Sequence, residues 1–217
     1  IDAATRVITT LAGGIVGFAG DGGPASAARL NGPRGLAADL AGNVYVADRE
    51  QGIVVKLDPA GKVLDPRYLT GLGRARALTF DLQDQLWIAS DGPQDSPFQD
   101  GSGQIWKAGP DRVLTKVLQG PLPAGVSLSP GGALFVAMRR TGKILVFSPG
   151  GKQFEFARFT DSGFLRALAF APSTEGTRRV GIAGDLFVVA SPRSNFSVSE
   201  VIRISGPQAL SILGRIW

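Results

Sequence analysis

Arg34, Arg76 and Arg166 each stand one residue before a small residue in an apolar run, in PRGLAAD, ARALTF and LRALAF; a fourth run of that shape, PAGVSL, has Ala124 there. A guanidinium is a planar, permanently charged fork that takes a carboxylate or phosphate through parallel N–H bonds. Three of them converging from equivalent positions would focus positive potential and hold an acidic ligand or partner. The competing use is local, with each stem packed on a neighbour and each head paired to a nearby acid. A second candidate is the loop DGPQDSPFQDGSG, residues 91–103, where Asp91, Asp95 and Asp100 are oxygen ligands of the kind calcium takes. Their spacing lacks the alternating D-x-D-x-D order of a dedicated calcium loop. The segment therefore reads as a solvated, turn-rich loop, with Phe98 at its middle as a protein contact. Asp48, which ends an apolar run, is suited to accept backbone N–H bonds and fix the turn after it.

Other chemistries are excluded by composition. The chain has no His and no Cys, which removes His-based triads, His-ligated zinc, thiolate metal sites, cysteine nucleophiles and disulfides. No metal and no cofactor are expected. The net charge of +5 comes from 17 Arg and 6 Lys against 18 acids, with basic residues scattered singly except Arg139-Arg140 and Arg178-Arg179. Scatter of that kind is the pattern of a solvated surface. No segment approaches the roughly 20 apolar residues needed to span a bilayer, and no charged region followed by an apolar one marks a leader.

The elements that must position these residues come from an internal repeat. Thirty Gly and fourteen Pro among short apolar runs predict strands and turns rather than helices. Four segments share one template, a small residue in one run, a turn, then an aromatic in a second run. The small anchors are Gly35, Ala77, Gly125 and Ala167; the aromatic anchors are Tyr45, Trp87, Phe135 and Phe187. A third and a fourth run follow each pair, so each unit holds four strands. Anchor spacings of 42, 48 and 42 residues fit the blade of a β-propeller, whose period is about 40 to 50 residues. Small residues suit a crowded innermost strand, and aromatics fill the space between blades that fan outward.

The expected organisation is all-β. Residues 1–14 are the outer strand of a preceding blade and residues 15–32 an inter-blade loop with a short helix. Blades follow at 33–71, 72–120, 121–163 and 164–217, the last with an insertion near 173–182. Four full blades plus an orphan outer strand do not complete a ring, so the chain is expected to be part of a longer polypeptide. The glycine-rich stretch GFAGDGGPASAARL, residues 17–30, invites a phosphate-cradle reading, but no Lys-Ser or Lys-Thr follows it. It reads as a corner on the channel-mouth face, with Pro24 opening a brief helix through Arg29.

The stretch GDGGPA followed by L-x-x-P-x-G-L-A-x-D-x-x-G-N-V-Y-V-A-D, from Gly20 to Asp48, resembles the NHL repeat, and the later units keep its strand pattern without its details. The resemblance implies a propeller, commonly six-bladed, used mostly for binding. Similar propellers include metal-dependent lactonases and lyases, and the lyases lean on histidine, which this chain lacks. Others bind RNA on a basic face, but Trp87 and Trp106 fall in strands rather than on a stacking surface. The expected function is a non-catalytic scaffold that binds a protein or acidic small ligand at the channel mouth through Arg34, Arg76 and Arg166, with Phe98 nearby. The alternatives are an RNA-binding propeller, or a lactonase or lyase with key groups in other blades. A nucleic-acid partner and a membrane span are not expected; a larger complex and an extracytoplasmic location are.

Overall fold

The computed structural model describes residues 15–17, 27, 29–93, 101–159, 162–192 and 199–205. After two short strands, β1 (Ile15–Val16) and β2 (Arg29–Leu30), the chain runs through four antiparallel meanders. Sheet one is β3 (Pro33–Ala38), β4 (Val44–Asp48), β5 (Ile53–Leu57) and β6 (Val63–Leu69). Sheet two is β7 (Ala75–Phe80), β8 (Leu86–Ser90), β9 (Gly103–Ala108) and β10 (Leu114–Gly120). Sheet three is β11 (Pro123–Leu128), β12 (Leu134–Met138), β13 (Lys143–Phe147) and β14 (Gln153–Arg158). Sheet four has three strands among the described residues, β15 (Ser162–Phe170), β16 (Leu186–Pro192) and β17 (Glu200–Ile204). The first strands of successive sheets lie side by side, β3 on β7, β7 on β11 and β11 on β15. They form the inner arc, and each sheet extends away from it.

The middle strands are apolar on both faces because both faces are covered. In β4, Tyr45 and Ala47 join Leu78, Leu86 and Ile88 in the core between sheets one and two, while Val46 turns the other way. Sheets two and three meet through Ala89 and Ile105 against Val126, Val136 and Met138. Sheets three and four meet through Phe135, Ala137 and Val146 against Leu165, Leu168 and Val188. The aromatic anchors wedge these seams. Tyr45 meets Tyr68 and Phe80 edge to face at 5.0 and 4.8 Å, and Phe135 meets Phe156 and Phe170 at 5.1 and 4.9 Å. Leu78, Val126 and Leu168, at one shared register, are 6–7% exposed against the preceding sheet, whereas Leu36 at that register is 68% exposed.

The hairpins between first and second strands share one device. Asp39 Oδ1 accepts from the Ala41 and Asn43 amides, and its Oδ2 accepts from Asn43 Nδ2 and from the Tyr45 hydroxyl at 3.0 Å. Asp81 does the same for Gln83, Gln85 and the Trp87 indole N–H at 2.8 Å. Sheet three has Ser129 with Phe135, a turn residue with one oxygen beside an aromatic with no polar hydrogen. The tightest position of the turn is left-handed, and Gly42, Asp84 and Gly132 take φ of 82°, 57° and 80° there.

Burial opposes ionisation of Asp39, but hydrogen bonds from Asn43 and Tyr45, with Lys56 nearby, hold its carboxyl below the usual aspartate range. Its contribution to stability is therefore present above the ordinary aspartate pKa and is lost as pH falls through the lowered one. Burial and the Asp39 hydrogen bond push the Tyr45 hydroxyl up, so it donates at every ordinary pH. Tyr45→Phe is expected to cost about 0.5–1.5 kcal/mol in urea unfolding. The pair Asp39→Ser with Tyr45→Phe, which copies sheet three, should cost less than the sum of the two single changes. Additive losses would show that the hydrogen bond is absent in solution.

The structure departs from the sequence expectation in two connections. Arg29, expected to end a short helix, lies with Leu30 in a strand paired parallel to Ile15–Val16, and Leu30 packs against the core of sheet one's outer face. The rest of the expected helix lies outside the described residues, as do the first outer strand and the last, ALSILGRI. The insertion near 173–182, for which no helix was expected, contains one turn, α1 (Glu175–Arg179). Thr174 caps it by accepting from the Thr177 amide, and Thr177 returns a bond to the Thr174 amide.

Candidate functional site

The four equivalent positions 34, 76, 124 and 166 are β-bulges. In sheet one Pro33 pairs with Asp48 and Gly35 with Ala47, so Arg34 is passed over. The same skip falls between Ala75 and Ala77, between Pro123 and Gly125, and between Leu165 and Ala167. A bulge releases its extra residue from strand alternation and bends the strand there. Each inner strand thus presents its residue 34, 76, 124 or 166 toward the arc's interior, where Arg34, Arg76, Ala124 and Arg166 line one cavity of about 240 Å³. Ala77, Gly125, Val126, Ala167 and Leu168 complete its lining.

A second tier lies one residue beyond the end of each second strand, at Arg49, Asp91, Arg139 and Ser191. It interlocks with the first. Asp91, fully buried, accepts from Arg76 Nη1 at 3.0 Å and from Arg49 Nε at 3.5 Å, which ties sheet two to sheet one. Glu50 also pairs with Arg49, and with Arg74 at 3.4 Å. Arg166 Nε donates to Ser191 Oγ at 2.9 Å. Arg34 makes no side-chain hydrogen bond or ion pair among the described residues and is exposed.

Arg139 belongs to the sheet whose bulge position is Ala124. Its amide donates to Leu122 O at 2.7 Å, its carbonyl accepts from the Leu165 amide at 3.1 Å, and its guanidinium lies 5.8 Å from the centre of the Phe164 ring. Burial and repulsion from Arg76, opposed by Asp91 and reinforced by Arg166 and Arg140, hold its guanidinium below the usual arginine range. Positive charge therefore exceeds negative charge in the two tiers, with Arg34, Arg49, Arg76, Arg139 and Arg166 against Asp91.

Of the residues singled out from sequence, Arg34, Arg76 and Arg166 share this cavity, while Phe98, Asp95 and Asp100 lie outside the described residues. Asp91, expected in a solvated loop, is instead locked between arginines. Asp48 accepts from the Asn31 amide at 2.7 Å and the Gln51 amide at 3.0 Å, fixing the crossing from β4 to β5. Its burial raises its pKa, opposed by backbone hydrogen bonds from Asn31, Gln51 and Glu50. The second tier was missed from sequence, although its signal was present one residue past the register of Asp48, Ser90, Met138 and Ala190.

No family model and no curated relative matches the sequence. Solved structures do match in fold. A gluconolactonase from Xanthomonas campestris aligns with a TM-score of 0.56 at 15% identity, over 74% of this chain and 57% of that one. A streptogramin B lyase aligns at 0.53 and 12%, over 81% and 55%. A chain of a nidogen–laminin complex aligns at 0.53 and 16%, over 80% and 64%. The fold is a β-propeller. Its sheets are blades, its inner arc borders the channel, and the arginine cavity opens on that channel. The chain spans about 55–64% of the length of these three propellers. No cluster of three or more acidic ligands suited to a metal occurs among the described residues.

Proposed function

We propose that the chain is a non-catalytic, NHL-like propeller scaffold, one sector of a six-bladed ring, that engages an acidic partner or ligand at its channel mouth. The single observation behind this reading is the bulge register, which brings Arg34, Arg76 and Arg166 to one cavity. Scattered surface arginines have no reason to share a backbone irregularity. Arg34 is free to bind, and the one buried carboxylate in the two tiers leaves the site net positive. The gluconolactonase and lyase neighbours share the fold alone. Turnover would need a proton-transfer group, and the cavity lining offers arginines and small apolar residues.

A fluorescent glutamate-rich peptide is expected to bind the full chain, with affinity falling as salt rises. Arg34→Ala with Arg166→Ala should weaken it at least tenfold, about 1.4 kcal/mol, by anisotropy, with the melting temperature unchanged. Unaltered peptide binding by that variant defeats the reading. Preferential, salt-dependent binding of single-stranded RNA would favour the nucleic-acid alternative, and lactone hydrolysis supported by a divalent cation would favour the enzymatic one.

A further inference from the structure

Blades two and three carry opposite arrangements at the cavity. In blade two the bulge offers Arg76 and the second tier offers the carboxylate of Asp91, at 3.0 Å. In blade three the bulge offers Ala124 and the second tier offers Arg139. A short side chain thus stands between the arginine positions of blades two and four, and a further guanidinium stands behind it where blade two keeps its carboxylate. The electrostatic coupling of Arg139 to Arg76 and to Arg166 places it in the field of both. The remaining lining, Ala77, Gly125, Val126, Ala167 and Leu168, is apolar.

We infer that this cavity is a subsite for a small organic carboxylate, whose head meets Arg34, Arg76 and Arg166 beside Ala124 and whose short apolar body lies on the floor of Ala77, Val126 and Leu168. The inference rests on the reading of the channel mouth as a binding site and narrows it. Three features select the class. A carboxylate accepts paired N–H bonds in the plane of a guanidinium, as Asp91 already accepts from Arg76. A phosphate ion matches the arginines but leaves the apolar floor without a partner. The volume, about 240 Å³, holds a ring-sized body with a head group, since an apolar cavity of about 150 Å³ is enough for benzene. Arg139 is a positioning residue here, because it stands outside the lining and acts through the field it sets at the notch.

The test uses the full chain with benzoate, the neutral isostere benzamide and inorganic phosphate as probes in calorimetric or NMR titrations. Benzoate is expected to bind saturably at low salt and benzamide not to bind. Arg34→Gln and Arg166→Gln should each weaken benzoate about tenfold without changing the melting temperature. Arg139→Gln should weaken it less and flatten its salt dependence. Equal binding of benzoate and benzamide, or benzoate binding unaffected by either lining variant, overturns the proposal. Binding of phosphate or the glutamate-rich peptide without benzoate overturns it too, while leaving the channel-mouth reading in place. Failure of all three anions overturns both.

Discussion

Asp91→Ala is expected to destabilise the protein by about 3–5 kcal/mol, read from urea unfolding with the wild-type chain alongside. Its carboxylate is fully buried and holds Arg49 from blade one and Arg76 from its own blade through one oxygen. Removing it leaves the mostly buried Arg49 dependent on Glu50 alone among the acids that pair with it here. The loss comes from stranding a buried cation rather than from the pair's own net worth, since burying both charges costs nearly what their attraction returns. Asp91→Asn keeps the shape and loses the charge, and should fall between wild type and alanine. Ligand affinity moves in the opposite direction. Asp91 is the only carboxylate in the two tiers and competes for Arg76, so Asp91→Asn should bind benzoate or the glutamate-rich peptide more tightly while being less stable. A loss below about 1 kcal/mol, the range of an exposed pair, would show that the Arg49–Asp91–Arg76 bridge does not persist in solution.

Gly35→Ala is the second large effect, an expected loss of about 1–3 kcal/mol from overpacking. A Cβ at Gly35 would lie 2.8 Å from the Arg76 carbonyl oxygen, 2.9 Å from Ala77 Cα and 3.1 Å from the Leu78 nitrogen, all of them main chain. No rotamer change relieves such contacts, so β3 must move away from β7. The equivalent Gly125 faces Ala167 Cα at 3.2 Å and the Leu168 nitrogen at 3.3 Å. Gly125→Ala should therefore cost distinctly less, because a few tenths of an ångström suffice and alanine restricts the unfolded chain more than glycine does. Thermal unfolding of the two variants orders them. Equal losses, or a more stable Gly35→Ala, would mean that the inner strands are not in this contact. The consequence reaches the site, since moving β3 outward carries Arg34 away from Arg76 and should weaken anion binding together with stability.

The blade pattern was legible because its causes are local in the chain. A strand covered on both faces must be apolar throughout, an innermost strand that touches its neighbour's backbone must be small, and a seam that widens outward must be filled by rings. Gly35 against Ala77 and Gly125 against Ala167 are the second requirement met in backbone contact, and Tyr45 with Tyr68 and Phe80 is the third. The turn carboxylates Asp39 and Asp81 were equally local, six residues before the rings they hold. Their role went unread because a turn-forming Asp already has sufficient reason to be there.

The site depended on contacts between distant segments. Arg34, Arg76 and Arg166 could be aligned from the repeat, but their common direction comes from a bulge, a property of how two strands pair rather than of either strand's composition. Asp91 belongs to an Asp-, Gly- and Pro-rich stretch that reads as solvated, yet an arginine from the preceding blade, 42 residues earlier, closes over it. Arg139 looked like half of a surface dipeptide until the stacking of blades set it between Arg76 and Arg166. Repeat spacing was enough to bring arginines to one level around an axis. Strand register and inter-blade packing then determined which of them are neutralised, which are free, and where a negative charge would rest.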